Sequence, residues 1–306
     1  DVVTSKCQIL NDYRRVAYLQ AAAPVLRLVF VFLVVILISA PGIALFSIAF
    51  STASVVACLI SVASGSVGPT VRTISADNAL GSPRLVEVFR TAWPYGLAAT
   101  FHLVYFQSAP VLLDRLAGSE DAGLYSAAFT IIGAVYLVPT VLFQKYLLPK
   151  YHELLNRDQD RLRNVVKLAG GAMTVVGLVA LFALTIFAEQ VVLVVFGRHY
   201  QEAAVVLAIM AFGVPLRLVS TSLGAALLSD THIKMKTYIM GAVAAIFLLV
   251  CAATFPILGA RGAALAVVLC ELILFLLYAW LICHRVLGVE VMQGWFEFSK
   301  NIRALT

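Results

Sequence analysis

Eight stretches of this sequence run for about 20 residues or more with scarcely a charge, at roughly 22–40, 43–67, 92–113, 123–146, 166–188, 203–228, 237–257 and 262–283. A helix rises 1.5 Å per residue, so runs of this length reach across the ~30 Å hydrocarbon core of a bilayer. Backbone polar groups in lipid must be satisfied within the segment, which leaves helices or a closed barrel. A barrel needs short alternating segments, not long uniform runs. The 306 residues are 62% hydrophobic and 12% charged, with a mean hydropathy of +0.97, whereas a soluble domain carries about 25% charge. A soluble enzyme, a disulfide-stapled secreted fold and a disordered tail are excluded. The expected fold class is all-α, a polytopic transmembrane helix bundle with eight spans.

The basic residues give these spans a direction. Eighteen of the 22 Lys and Arg fall in alternate connections: Lys6, Arg14, Arg15 and Arg27; Arg72, Arg84 and Arg90; six from Lys145 to Lys167; Lys234 and Lys236; Arg285, Lys300 and Arg303. The opposite connections hold Arg115, Arg198 and Arg261, and Arg217 lies inside a run. Cytoplasmic loops attract Lys and Arg, so both ends of the chain are expected to face the cytoplasm. The net charge of +6 then reports topology, and nucleic acid is not an expected partner. The segment from Gly81 to Arg90 reads as a short surface helix, and Trp93, Tyr95 and Trp280 as interface anchors. The chain opens on Asp1 with no leader pattern, so it is expected to be the C-terminal part of a longer protein. Cys7, Cys58, Cys251, Cys270 and Cys283 lack metal-ligand spacing and read as small apolar filler.

No phosphate-binding Gly-rich loop, zinc-protease motif, nucleophile elbow or acidic cluster appears, so neither catalysis nor a cofactor or metal is expected. An ionisable group in lipid costs ~2.5–3.5 kcal/mol on insertion scales and so faces a cavity or a partner. The polar residues well inside the runs are few, chiefly His102 and Gln107 in the third, Arg217 in the sixth and Glu271 in the eighth. Arg217 follows Pro215, which can kink its helix; it reads either as an anion contact in a cavity or as the partner of Glu271. Glu271 reads as a proton-coupling group or as a helix-pinning hydrogen-bond partner. Asp114 and Arg115 fall at the outer end of the third run, as a second coupling and substrate-binding pair or as a surface ion pair. Pro94, Pro110, Pro139 and Pro215 suggest kinked helices.

From Asp114-Arg115 onward the order of features resembles a known family. Gly123-Leu124-Tyr125-Ser126-Ala127-Ala128 follows, then Leu148-Pro149, Phe196-Gly197 with Tyr200 and Ala203, Gly224-Ala225-Ala226-Leu227-Leu228, and Gly259-Ala260-Arg261-Gly262-Ala263-Ala264-Leu265-Ala266. This series is similar to the C-terminal portion of bacterial oligosaccharide-lipid (O-antigen and polysaccharide) flippases, within the multidrug/oligosaccharidyl-lipid/polysaccharide exporter superfamily. Asp230 departs from it, since relatives more often have a small residue there.

The resemblance implies a 12-helix transporter of two lobes around a central cavity. Residues 1–91 would hold the last two helices of the N-terminal lobe, 92–283 the six-helix C-terminal lobe, and 284–306 a cytoplasmic tail. It implies translocation of a polyprenyl-pyrophosphate-linked oligosaccharide across the bacterial inner membrane by alternating access, without a cofactor. A polysaccharide polymerase or other assembly protein is an implied partner. Physical reasoning selects Arg217, Arg115, His102 and Gln107 as cavity contacts, of which Arg115 alone belongs to a family motif. Two alternatives stay open: a proton- or sodium-coupled multidrug antiporter of the same superfamily, and a membrane-embedded polysaccharide transferase or polymerase.

Overall fold

The computed structural model describes residues 25–34, 36, 43–66, 85–142, 159–227, 232–286 and 295. The chain divides into two compact units, Asp1–Ser82 and Pro83–Thr306, and the described residues contain no strand. This division falls short of residue 91, which lies inside a helix of the second unit. Asp230, Leu148-Pro149, the basic stretch 143–158, residues 1–24 and nearly all of the tail from 287 lie outside the described residues.

In the first unit, helices α1 (Val25–Val34) and α2 (Ile43–Ser66) are apolar almost throughout. Three hydroxyls of α2 bond back to carbonyls of their own helix. Ser51 Oγ donates to the Ser47 carbonyl at 2.8 Å, Thr52 Oγ1 to Ile48 at 2.9 Å and Ser54 Oγ to Phe50 at 2.8 Å, the back-bonding that lets Ser and Thr enter apolar helices. Arg27, expected in a cytoplasmic connection, instead lies within α1. Its Nε and Nη2 donate to Ser54 Oγ at 3.3 and 3.2 Å, and its Cζ sits 4.3 Å above the Phe50 ring.

The second unit runs α3 (Leu85–Gln107), α4 (Ala109–Leu116), α5 (Ser119–Leu142), α6 (Gln159–Ile186), α7 (Ala188–Phe196), a 3-10 turn at Arg198–Tyr200, α8 (Ala203–Ala211), α9 (Gly213–Ala226) and α10 (Ile233–Leu281). From Leu85 the segment read as a short surface helix is the start of α3, continuous with the run that follows it. Two bends shape the unit. Ala92–Gln107 meets α4 at 44°, and α8 meets α9 at 42°. Each bend lies two or three residues before a proline, at Ser108 before Pro110 and at Phe212 before Pro215. A proline offers no N–H to the carbonyl four residues back and pushes that carbonyl aside, so the chain breaks one turn upstream and restarts with the proline in a first helical turn.

In α10, Gly259 adopts φ 54° and ψ −135°, which ends one helical run and starts another. A Cβ placed on Gly262 would lie 2.7 Å from the Thr254 carbonyl oxygen. Eight residues along one straight helix would span ~12 Å, so the chain turns back at Gly259 and α10 is two arms, 233–258 and 260–281. The spans expected at 237–257 and 262–283 are these arms. Asp121, in the first turn of α5, fixes the corner, its Oδ1 accepting the Ala260 N–H at 2.7 Å.

Among the described residues, Arg163–Ile186 and Ile233–Arg285 are long and apolar enough to cross a membrane, and up to four helices qualify when each bent pair counts as one span. Large apolar side chains face outward all along them, as with Phe182 (61% exposed), Leu249 (72%) and Leu276 (54%). The unit is apolar on its outside as well as in its core. Such a surface suits lipid and would aggregate in water.

Candidate functional site

Among the described residues of the second unit a cavity of about 520 Å³ has a wall that joins four helices. α3 supplies Tyr95, Ala98, Ala99, His102 and Phe106, which recur at helical spacing on one stripe; α5 supplies Phe129, Gly133 and Tyr136. α9 contributes Arg217, Ser220, Thr221, Gly224 and Ala225, while the two arms of α10 contribute Ile233, Lys236 and Met240, and Leu274 and Tyr278. Small residues open the space and aromatic rings line it.

Arg217 organises this wall. Its Nη1 lies 3.0 Å from Glu271 Oε1 and also donates to the Tyr105 hydroxyl, which in turn donates to the same carboxylate oxygen at 2.8 Å. Its Nη2 lies 2.9 Å from His102 Nε2. Arginine can only donate, so Nε2 accepts, and His102 is neutral with its proton on Nδ1. The Arg217 Cζ stands 4.2 Å above the Phe106 ring centroid, with the Tyr105 and Tyr136 rings at 5.7 and 5.9 Å. His102 stacks on Phe106 at 5.5 Å and 12°. Arg217 is thus held by a carboxylate, a phenol, an imidazole and an aromatic face, with its side chain 14% exposed and Glu271 1% exposed. A buried charge is tolerated only with such pairing and hydrogen bonding.

Of the residues selected from the sequence, the structure brings Arg217 and His102 to the cavity wall and sets Glu271 behind Arg217 as its partner. Gln107 and Arg115 do not line this cavity. Both are exposed. Gln107 follows His102 by five residues, which turns it ~140° around α3 from the inward stripe. Arg115 lies in the last turn of α4, beyond the bend at Ser108. Asp114 is exposed as well, and its Oδ1 accepts the Ser119 hydroxyl at 2.6 Å.

Sequence reasoning missed several wall residues. Tyr95, read as an interface anchor, faces the cavity. Lys236, assigned with Lys234 to a cytoplasmic loop, lies in α10 and lines the cavity, whereas Lys234 is exposed. Ile233, Lys236 and Met240 repeat at i, i+3 and i+7, and that helical stripe was available in the sequence. The Lys236 Nζ donates to the Gly224 carbonyl at 2.6 Å. Among the described residues no group of three or more His, Cys, Asp or Glu could hold a metal ion.

Comparison with known proteins gives these helices a context. Residues 7–155, just under half of the chain, match the family described as "Polysaccharide biosynthesis protein". Over 110 residues the chain is 30% identical to the succinoglycan biosynthesis transport protein ExoT of Rhizobium meliloti, a match covering 36% of this chain and 22% of that protein. The chain thus spans about a fifth of the length of that relative. No solved structure matches the chain. Both similarities point to polysaccharide biosynthesis, and the second is to a protein named for transport.

Proposed function

We propose that this relative of the polysaccharide biosynthesis proteins is part of a translocator that carries a polyprenyl-pyrophosphate-linked oligosaccharide from the cytoplasmic to the outer leaflet of a bacterial inner membrane. The observation that supports it is the cavity in a lipid-facing helical unit, lined by aromatic rings and bordered by two cations, Arg217 and Lys236. Aromatic faces suit the apolar faces of sugar rings, hydroxyls such as Thr221 suit their polar edges, and cations suit a diphosphate. Alternating access would expose the cavity to one leaflet at a time, with both ends of the chain cytoplasmic. The relative's designation as a transport protein agrees with a role in moving its cargo, not transforming it, and a polymerase acting on the delivered glycan is the natural partner class.

Plugging the cavity without disturbing its wall tests this reading. Gly133 lines the cavity, and a Cβ added there meets nothing within 4 Å. Cells lacking the gene should accumulate lipid-linked oligosaccharide on the cytoplasmic leaflet, wild type should clear it, and Gly133→Trp should be inserted normally yet fail to clear it. Full clearance by Gly133→Trp would overturn the proposal.

One observation favours a second reading, a cation-coupled drug antiporter. Glu271 is buried with its Oε2 lacking a hydrogen-bond partner, and aromatic walls also suit organic cations. An unchanged lipid distribution together with altered resistance to cationic dyes would select it.

A further inference from the structure

We infer that Lys236, and not Arg217, is the group that receives the diphosphate of a prenyl-linked substrate; this rests on the translocator reading above. The two cations on the wall differ in what already holds them. Arg217 spends Nη1 on Glu271 and Tyr105 and Nη2 on His102, covers Phe106 with its face, and has its charge balanced at 3.0 Å. Two of its five N–H donors remain, but a phosphate taking them would stand beside the Glu271 carboxylate that already balances the charge. Lys236 is held differently. Its Nζ donates to one neutral acceptor, the Gly224 carbonyl at 2.6 Å, and among the described residues no carboxylate pairs with it. An ammonium has three donors, so two remain for a ligand, and its charge is fixed in position without being cancelled.

The surroundings explain how a cation is kept there. Lys236 occupies the first turns of α10, where the helix dipole favours anions, and the carbonyl it meets belongs to the last turn of α9, where the dipole favours cations. The end of α9 therefore stabilises the ammonium, while the start of α10 opposes it and favours an anion placed beside it. Gly224 makes room for it: a Cβ at that position would lie 2.9 Å from the Tyr278 ring and 3.6 Å from the Lys236 Nζ. The Gly224-Ala225-Ala226 stretch of the sequence thus acquires a role in placing an ammonium and a phenol ring over bare backbone. Arg217 lies two turns away along α9, ~10 Å. A diphosphate on Lys236 would therefore leave the aromatic stretch between the two cations for sugar.

The test uses the purified protein in nanodiscs with three probes: farnesyl diphosphate, farnesol and inorganic pyrophosphate. Wild type should bind farnesyl diphosphate at least tenfold tighter than either of the others. Lys236→Met should weaken farnesyl diphosphate about tenfold or more, the scale of one charge-assisted hydrogen bond, and leave farnesol unchanged; Lys236→Arg should restore the preference. Arg217→Met with Glu271→Leu, which removes the second cation together with its counter-charge, should leave farnesyl diphosphate affinity within twofold. The assignment is overturned if Lys236→Met binds farnesyl diphosphate as wild type does, if it loses farnesol equally, or if the double variant loses the diphosphate as Lys236→Met does; the translocator reading survives each of these. A wild type that does not prefer farnesyl diphosphate to farnesol and to pyrophosphate overturns both.

Discussion

Arg217 on α9 and Glu271 on the second arm of α10 stand 54 residues apart in the chain, and their side chains meet at 3.0 Å. Each makes the burial of the other tolerable. Removing one partner of such a pair typically costs ~3–5 kcal/mol, whereas replacing both with apolar groups of similar size is often neutral or stabilising. Glu271→Ala should therefore lower the thermal unfolding midpoint in detergent strongly, and Arg217→Met with Glu271→Leu should recover most of the loss. A double variant as unstable as the single one would show that the pair is not the stabilising unit.

The corner of α10 depends on Asp121. Its carboxylate accepts the Ala260 N–H at 2.7 Å, and Gly259 beside it has φ 54°. Asp121→Ala should cost ~1.5–3 kcal/mol, the range for a hydrogen bond to a charged group. Gly259→Ala should cost at least as much, because its Cβ would strain the backbone and run into the Asp121 side chain. Chemical denaturation of each variant in mixed micelles, against wild type, measures both.

Two glycines should respond oppositely to the same added methyl group. At Gly177 on α6, a Cβ would lie 2.5 Å from the Pro215 Cα, which is backbone and cannot rotate away. Gly177→Ala should separate α6 from α9 and cost ~1–3 kcal/mol, as overpacking does. At Gly133 nothing lies within 4 Å, and Ala in a helix is favoured over Gly by ~0.5–1 kcal/mol. Gly133→Ala should hold or raise the unfolding midpoint.

Trp295 is 9% exposed, and its ring lies against Gly170 of α6, where an added Cβ would come within 3.0 Å of Cε2. The chain has three tryptophans, so Trp93→Phe with Trp280→Phe isolates this one. Gly170→Leu in that background should shift its emission to the red by expelling the ring. An unmoved spectrum would mean that the ring stays covered.

The apolar runs were legible because lipid imposes a length and a polarity that propensity cannot hide. The Arg217–Glu271 pair was legible for a related reason: two opposite charges inside apolar runs have few other partners. Lys236 was hidden by its neighbourhood. In the sequence it stands beside Lys234 and His232 among the basic residues of a connection, and only the helix beginning at Ile233 separates its face from that of Lys234. Gln107 is exposed and off the wall, since membership of an apolar run does not fix which side of the helix a residue takes. The corner at Gly259 joins two distant stretches, because Asp121 stands just before Gly123-Leu124-Tyr125 and Ala260 belongs to Gly259-Ala260-Arg261-Gly262; a linear reading cannot place them together.

The two proline-linked bends have a mechanical consequence. All the α3 and α9 residues on the cavity wall lie on one side of the bends, from Tyr95 to Phe106 and from Arg217 to Ala225, and α4 and α8 contribute none. A bend that flexes at Ser108 or Phe212 would swing α4 or α8 as a rigid flap while the wall stays assembled. Opening one end of the unit then need not dismantle the Arg217 network, so its buried charges would stay paired through the motion.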